Sequence, residues 1–240
     1  MLITYLDLLD EGILLFITFF GAVVTALLTG ICFHEASHAF TADKLGDRTA
    51  RLLGRVSLNP ARHLDPTGTA MMMLVGFGWG KPVPVDPSRL RHGPETGRAL
   101  VAAAGPVSNI LIAMLASLPM HLGLLHWWSP FLIPFSVGEW SVADYASLYL
   151  SAIIVFNIIL AVFNLIPIAP LDGFAVAVGI LPRDLSMSFR RLEQYGPAIL
   201  LVLFFLPFLT NGQFSILHEI MSPLINGLSK LIVGSDDALR

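Results

Sequence analysis

Charge is scarce in this chain. Asp, Glu, Lys and Arg make up 13% of the 240 residues, against 55% hydrophobic ones, and the mean hydropathy is +0.75. A soluble domain carries about 25% charge, so the composition excludes a soluble enzyme and a disordered chain. The net charge of −3 leaves no basic surplus, and nucleic acid is excluded as a partner because binding it needs a basic face. A single cysteine, Cys32, excludes an internal disulfide. Internal repeats, low-complexity tracts and flexible linkers are lacking too. Residues 1–240 therefore read as one domain, with a core over 12–182 and further helices over 195–233.

What the chain has instead is long uncharged runs. Gly12–Phe33 is 22 residues without a charge, which as a helix reaches about 33 Å and crosses a bilayer. Acidic residues (Asp7, Asp10, Glu11) precede it and the run is long, so it does not read as a cleaved signal peptide. Ala99–Leu118 is a second run, whose small residues (Ala102, Ala103, Ala104, Gly105, Ser108) read as a packing face around Pro106. Tyr145–Ile168 is a third, with Asn157 and Asn164 seven apart on one helix face, and Tyr195–Phe214, containing Pro207, is a fourth. In Phe214–Val233, Leu217, Ile220, Met221, Leu224, Leu228 and Leu231 recur at helical spacing. That pattern suits an amphipathic helix on the membrane or against the bundle better than a fifth span. The expected fold is an all-α polytopic membrane protein. It has about four transmembrane helices, a re-entrant or extended segment and an amphipathic C-terminal helix.

The basic residues orient it. None precedes Lys44; nine lie from Lys44 to Arg98, three more are Arg183, Arg190 and Arg191, and only Lys230 and Arg240 follow. The stretch from His121 to Asp144 has none. By the positive-inside rule the two basic regions face the cytoplasm and the N-terminus faces out. The chain is expected to be a multi-pass protein of the cell (inner) membrane, with its active site toward the cytoplasmic side.

Two polar clusters interrupt the apolar runs. The first run ends in His34-Glu35-Ala36-Ser37-His38. Histidines four apart share a helix face and can bind one Zn²⁺, while the intervening glutamate can accept a proton from a metal-bound water. Ionisable groups at membrane depth cost about 2.5–3.5 kcal/mol each on insertion scales, so they are usually functional. The helix is expected to continue to Leu45 and stop at Gly46. A third ligand is sought where the third run ends, in Asn164-Leu165-Ile166-Pro167-Ile168-Ala169-Pro170-Leu171-Asp172-Gly173. Its prolines break the helix, which puts Asp172 on irregular backbone at the same side of the membrane as His34 and His38. Alone, Pro170-Leu171-Asp172-Gly173 would be an ordinary turn; beside the histidine pair it is a candidate ligand.

These two motifs together resemble the site-2 protease family of intramembrane zinc metalloproteases. The stretch Gly76-Phe77-Gly78-Trp79-Gly80-Lys81-Pro82-Val83-Pro84-Val85 and the run Ala104-Gly105-Pro106-Val107-Ser108-Asn109 resemble it as well, so the likeness covers residues 20–180. The form is like the compact prokaryotic members without a PDZ or CBS domain. The resemblance implies Zn²⁺ held by His34, His38 and Asp172, Glu35 as general base, and Asn164 near the site. It also implies membrane-spanning protein substrates in the lipid bilayer, some of them regulatory, such as anti-sigma factors or membrane-tethered transcription factors.

In the chemistry expected, zinc acidifies a water and polarises the peptide carbonyl. Glu35 takes the proton and returns it to the leaving amine. Asn164 either donates to the developing oxyanion or bonds a neighbouring helix; Asn157 and Asn109 read as helix-to-helix bonds. The rival reading is a zinc-binding transporter or sensor without proteolysis. It would need polar groups spaced across the membrane, whereas here they cluster at one depth.

Met71–Gly80 is apolar, too short to span and broken by Gly76, Gly78 and Gly80, and Lys81–Asp86 follows it; Met71–Asp86 is taken as one segment. Pro82 and Pro84 suit an edge strand, so the segment is expected to be extended or re-entrant. It either pairs with an unwound substrate or plugs the site. His63 reads as a loop hydrogen-bonder. His218-Glu219 is not a second motif, because Ser222 stands where a histidine is needed. Cys32 reads as a small buried hydrophobe.

Overall fold

The computed structural model describes Leu9 and residues 12–75, 78–131 and 140–234. Among these there is no β-strand, and the regular secondary structure is helical. In order come α1 (Ile13–Lys44), the short α2 (Thr49–Leu52) and α3 (Pro60–His63), α4 (Pro66–Val75), α5 (Pro94–His121) and α6 (Val142–Asn164). They are followed by α7 (Asp172–Ile180), α8 (Arg183–Arg190), α9 (Gly196–Leu209) and α10 (Ile216–Val233). Among the described residues, five helical segments are long and apolar enough to cross a membrane, Arg183–Leu209 counting as one of them.

The spans start and stop where local chemistry directs. α1 runs on past its apolar stretch to Lys44, and Gly46 ends it at φ +113°, as expected. α5 opens with Pro94 in its first turn, where a missing N–H costs nothing. α6 opens with a capping box, in which Ser141 and Asp144 satisfy each other's backbone N–H.

α1, α5 and α6 form the core. Leu15, Phe19, Ala22, Val23, Ala26 and Leu27 of α1 pack on Leu148, Ala152 and Phe156 of α6. In lipid, helices gain little from hydrophobic burial against each other, so close packing through small residues carries association. Gly30 shows this: a Cβ there would stand 2.7 Å from Leu160 Cδ1. Gly179 of α7 sits the same way against Ala99 of α5, where a Cβ would come within 2.3 Å of Ala99 Cβ.

α10 packs against the bundle, one of the two arrangements its pattern allowed. Met221, Ile225 and Ile232 join Ala113, Ile154, Ile158, Val162 and Ile166 in one buried cluster. The His121 ring donates to the Ile232 carbonyl at 2.6 Å. By length and apolarity α10 also qualifies as a fifth crossing.

Two expectations need correction. Residues 71–75 are helical, as the end of α4, not extended. Asp65 accounts for this: its Oδ1 accepts from the Gly68 N–H at 2.8 Å, an N-cap immediately before Pro66. Residues 78–86 form no helix and make a single antiparallel bridge, between Leu64 and Gly80, rather than an edge strand. Gly76 and Phe77, also in that expected segment, lie outside the described residues. Second, Asp172 is not on irregular backbone. The irregular stretch is 165–171, and Asp172 is the first residue of α7.

Candidate metal centre

His34 and His38 lie one turn apart on α1, both buried, with their rings edge to face at 4.6 Å. The chain after α6 carries Asp172 up to them. α6 ends at Asn164, the turn includes a cis Ala169–Pro170 bond, and α7 starts at Asp172. Gly173 makes the turn possible, because a Cβ there would sit 2.1 Å from the Leu165 carbonyl oxygen. Asp172 Oδ2 then stands 2.9 Å from His34 Nε2 and 3.3 Å from His38 Nε2. Among the described residues, this is the one group of three His, Cys, Asp or Glu side chains whose ligand atoms gather within 4.8 Å.

The far side of each imidazole is fixed. His34 Nδ1 meets Asn109 Oδ1 at 2.7 Å, and His38 Nδ1 meets the Val101 carbonyl at 2.7 Å. A carbonyl oxygen can only accept, so His38 carries its proton on Nδ1. Asn109 is oriented by its Nδ2, which donates to the Gly30 carbonyl at 3.1 Å and to Asn157 Oδ1 at 3.0 Å. Its Oδ1 must therefore face His34, which is protonated on Nδ1 as well. Both Nε2 lone pairs then point inward.

This arrangement fits a metal ion better than an ion-paired cluster. Asp172 Oδ2 is buried and close to both Nε2 atoms, yet it forms no properly angled hydrogen bond. Atoms bound to one tetrahedral zinc at about 2.0–2.1 Å stand about 3.3 Å apart, which matches the His38–Asp172 distance of 3.3 Å, while the His34–Asp172 distance of 2.9 Å is shorter. Imidazoles that donate their other N–H to carbonyls are the usual supported form of a histidine ligand.

Gly105 of α5 closes the centre from one side. A Cβ on it would lie 2.6 Å from His34 Cε1, His34 Nε2 and His38 Cε1. Glu35 is half-buried on another face of α1. A Cβ placed on Gly80 would come within 3.4 Å of its Oε1, so the 78–86 segment passes directly over this carboxylate.

The structure thus brings together His34, His38 and Asp172, with Glu35 beside them. Asn164 donates from Nδ2 to the Leu160 carbonyl at 2.9 Å, within its own helix. His63 is the last residue of the short α3 rather than a loop residue; it is fully buried and its Nε2 lies 2.5 Å from the Ser57 carbonyl, as expected of a hydrogen-bonder. Cys32 is buried. Sequence reasoning missed Gly105 and Asn109 as parts of this centre, treating one as helix packing and the other as a helix-to-helix bond. Asn109 does tie helices, through Gly30 and Asn157, and it also holds a ring of the centre.

A sequence model of peptidase family M50 matches residues 22–206. The chain is 37% identical over 186 residues to the presumed zinc metalloprotease YwhC of Bacillus subtilis, an overlap of 77% of this chain and 80% of that one. It is 29% identical over 224 residues to the presumed zinc metalloprotease Rip2 of Mycobacterium tuberculosis, covering 92% of this chain and 80% of the relative. No solved structure matches it.

Proposed function

The chain belongs to peptidase family M50, and on that footing we propose that it hydrolyses peptide bonds of membrane-spanning proteins, with His34, His38 and Asp172 holding zinc and Glu35 as general base. It is an intramembrane zinc metalloprotease, and its apolar helices make it a multi-pass membrane protein. One observation carries the assignment of ligands. Two imidazoles, each with Nδ1–H bonded to a carbonyl oxygen, turn their Nε2 atoms toward a buried carboxylate oxygen that lacks a hydrogen bond of its own.

Zinc, when bound, supplies an acidified water and polarises the scissile carbonyl. Glu35 is adjacent to His34 in sequence and stands beside the centre rather than in it, so its carboxylate accepts the proton of the attacking water and delivers it to the leaving amine. Asn109 and the Val101 carbonyl hold the two rings in the tautomer that leaves Nε2 available. Asn164, at the end of α6 before the Asp172 turn, spends one N–H on Leu160 and retains a second donor for the substrate backbone or the oxyanion.

The site faces the cytoplasm in this reading, at the inner membrane. The basic loops around α2–α4 and α8 lie at the same ends of the helices as Asp172 and the end of α1, and positive charge marks the cytoplasmic side. Labelling a cysteine placed at Arg183 from each side of the membrane checks this orientation.

The deciding experiment compares the native chain with Glu35→Gln for zinc content and for cleavage of a model transmembrane substrate. Equal zinc and a cleavage rate at least ~100-fold lower are expected, in the range of a lost general base. Undiminished cleavage by the variant would end the reading, and zinc flux through it would favour a transporter.

A further inference from the structure

Arg55 is 6% exposed, an unusual place for a guanidinium. It follows α2 in a tight turn, with its own N–H bonded to the Ala50 carbonyl at 2.9 Å. No carboxylate is in ion-pair contact with it among the described residues, although the charge of Glu35 reaches it. Its Nη2 donates to the backbone carbonyl of Lys81, and its buried Nε has no hydrogen-bond partner. A buried cation without a paired anion is costly, so a chain retaining one puts it to some use.

The residue it grips lies next to the catalytic carboxylate. Lys81 follows Gly80, which is tied on its other side as well. Gly80 pairs with Leu64, and the Lys81 N–H donates to the His63 carbonyl at 2.7 Å. The carbonyl held by Arg55 and the N–H held by His63 therefore fix both polar groups of one residue. That clamp keeps Gly80 where a Cβ would meet Glu35 Oε1 at 3.4 Å, Ile31 Cγ2 at 3.1 Å and the His63 carbonyl at 3.2 Å. Even a methyl group on Gly80 would reach Glu35 Oε1 only at ordinary contact distance, so the Gly80 backbone borders the space of this carboxylate, and a shift of that backbone changes the space it has.

We propose that Arg55 is a positioning residue of this protease: by holding the Lys81 carbonyl it keeps the Gly80 backbone against Glu35 and so sets where the base stands relative to the metal ligands. The role rests on the reading of Glu35 as general base. It assigns this segment a duty beside the base, as a border for the Glu35 side chain. It also explains why a guanidinium is used. Arg reaches a backbone carbonyl with a rigid, permanently charged fork, whereas a neutral amide at the same place would carry no charge toward Glu35.

The test uses full-length Arg55→Gln and Arg55→Lys in detergent, with Glu35→Gln alongside. Zinc per chain, melting temperature, kcat and KM for a transmembrane substrate are measured for each. Both Arg55 variants are expected to keep zinc and to melt near the native chain. Arg55→Gln loses about 100-fold in kcat, the loss that a misplacement of about 1 Å brings, with KM within about two-fold, and Arg55→Lys recovers part of kcat. A native kcat in Arg55→Gln beside an inactive Glu35→Gln overturns the role of Arg55 and leaves the protease reading intact. So does a loss in both Arg55 variants that follows zinc or melting temperature, which marks a purely structural arginine. A rise in KM alone overturns it too, since that places Arg55 on the substrate. A zinc-loaded native chain without any cleavage overturns the protease reading and the Arg55 role together.

Discussion

Gly105 has no room for a side chain because His34 occupies it: a Cβ would lie 2.6 Å from both Cε1 and Nε2 of that ring. Neither ring can move aside freely, since His34 and His38 are each held at Nδ1. Gly105→Ala is therefore expected to push the imidazoles apart rather than be absorbed. Overpacking of this kind costs about 1–3 kcal/mol, and here it falls on the ligand geometry. Zinc content at limiting free zinc should drop, and activity should drop with it. A variant with native zinc affinity would show that the helices part more easily than the contacts imply.

Asn109 holds both helices and a ligand, and the two duties can be separated. Its Nδ2 bonds Gly30 and Asn157, while its Oδ1 bonds His34. Asn109→Ala is expected to weaken zinc binding by about 10–100-fold, the usual effect of removing a ligand's hydrogen-bond partner. Asn157→Ala breaks the bond between the asparagines and leaves the one to His34, so it should lower the melting temperature while zinc affinity stays close to native. Competitive zinc titration with a chelator distinguishes them. Equal zinc affinity for both variants would reduce Asn109 to a helix-to-helix bond.

The parts of this centre that were legible in the sequence are those encoded at short range. His34, Glu35 and His38 declare themselves by helical spacing, and the Lys and Arg distribution places Asp172 on their side of the membrane. Gly105 is legible as a small residue within the Ala104–Asn109 run but not as a neighbour of the ligands, since what it packs against lies 67 and 71 positions away in sequence. Asn109 looked like any polar residue in an apolar helix, because nothing local distinguishes a bond to an imidazole from a bond to a carbonyl. Residues 71–75 were misjudged because the glycines from Gly76 onward outweighed the start signal of Asp65 and Pro66. They do not prevent the helix over Pro66–Val75.

Asp47 anchors the far end of the segment that passes over Glu35. It is fully buried just beyond α1 and accepts from the Thr49 N–H at 3.0 Å, the Thr49 hydroxyl at 2.6 Å and, through Oδ2, the Asp86 N–H at 2.7 Å. Burial alone would raise its pKa, but the bonds from Thr49 and Asp86 outweigh that and hold it below the ordinary aspartate value. Its folded pKa is thus depressed, so its stabilisation is complete above the unfolded pKa of about 3.9 and is lost as pH falls toward the lower folded value. Asp47→Ala leaves the part-buried N–H groups of Thr49 and Asp86 without their acceptor, at a cost no greater than that of a fully buried one, about 1–3 kcal/mol. The variant should therefore melt lower than the native chain at neutral pH, by an amount that is constant down to about pH 5 and shrinks only in the acid range below about pH 4. Parallel melting curves of the native chain and Asp47→Ala in detergent from pH 7 to pH 3 check this. A gap that closes already between pH 7 and pH 5 would mean that a group other than this carboxylate ties the segment down.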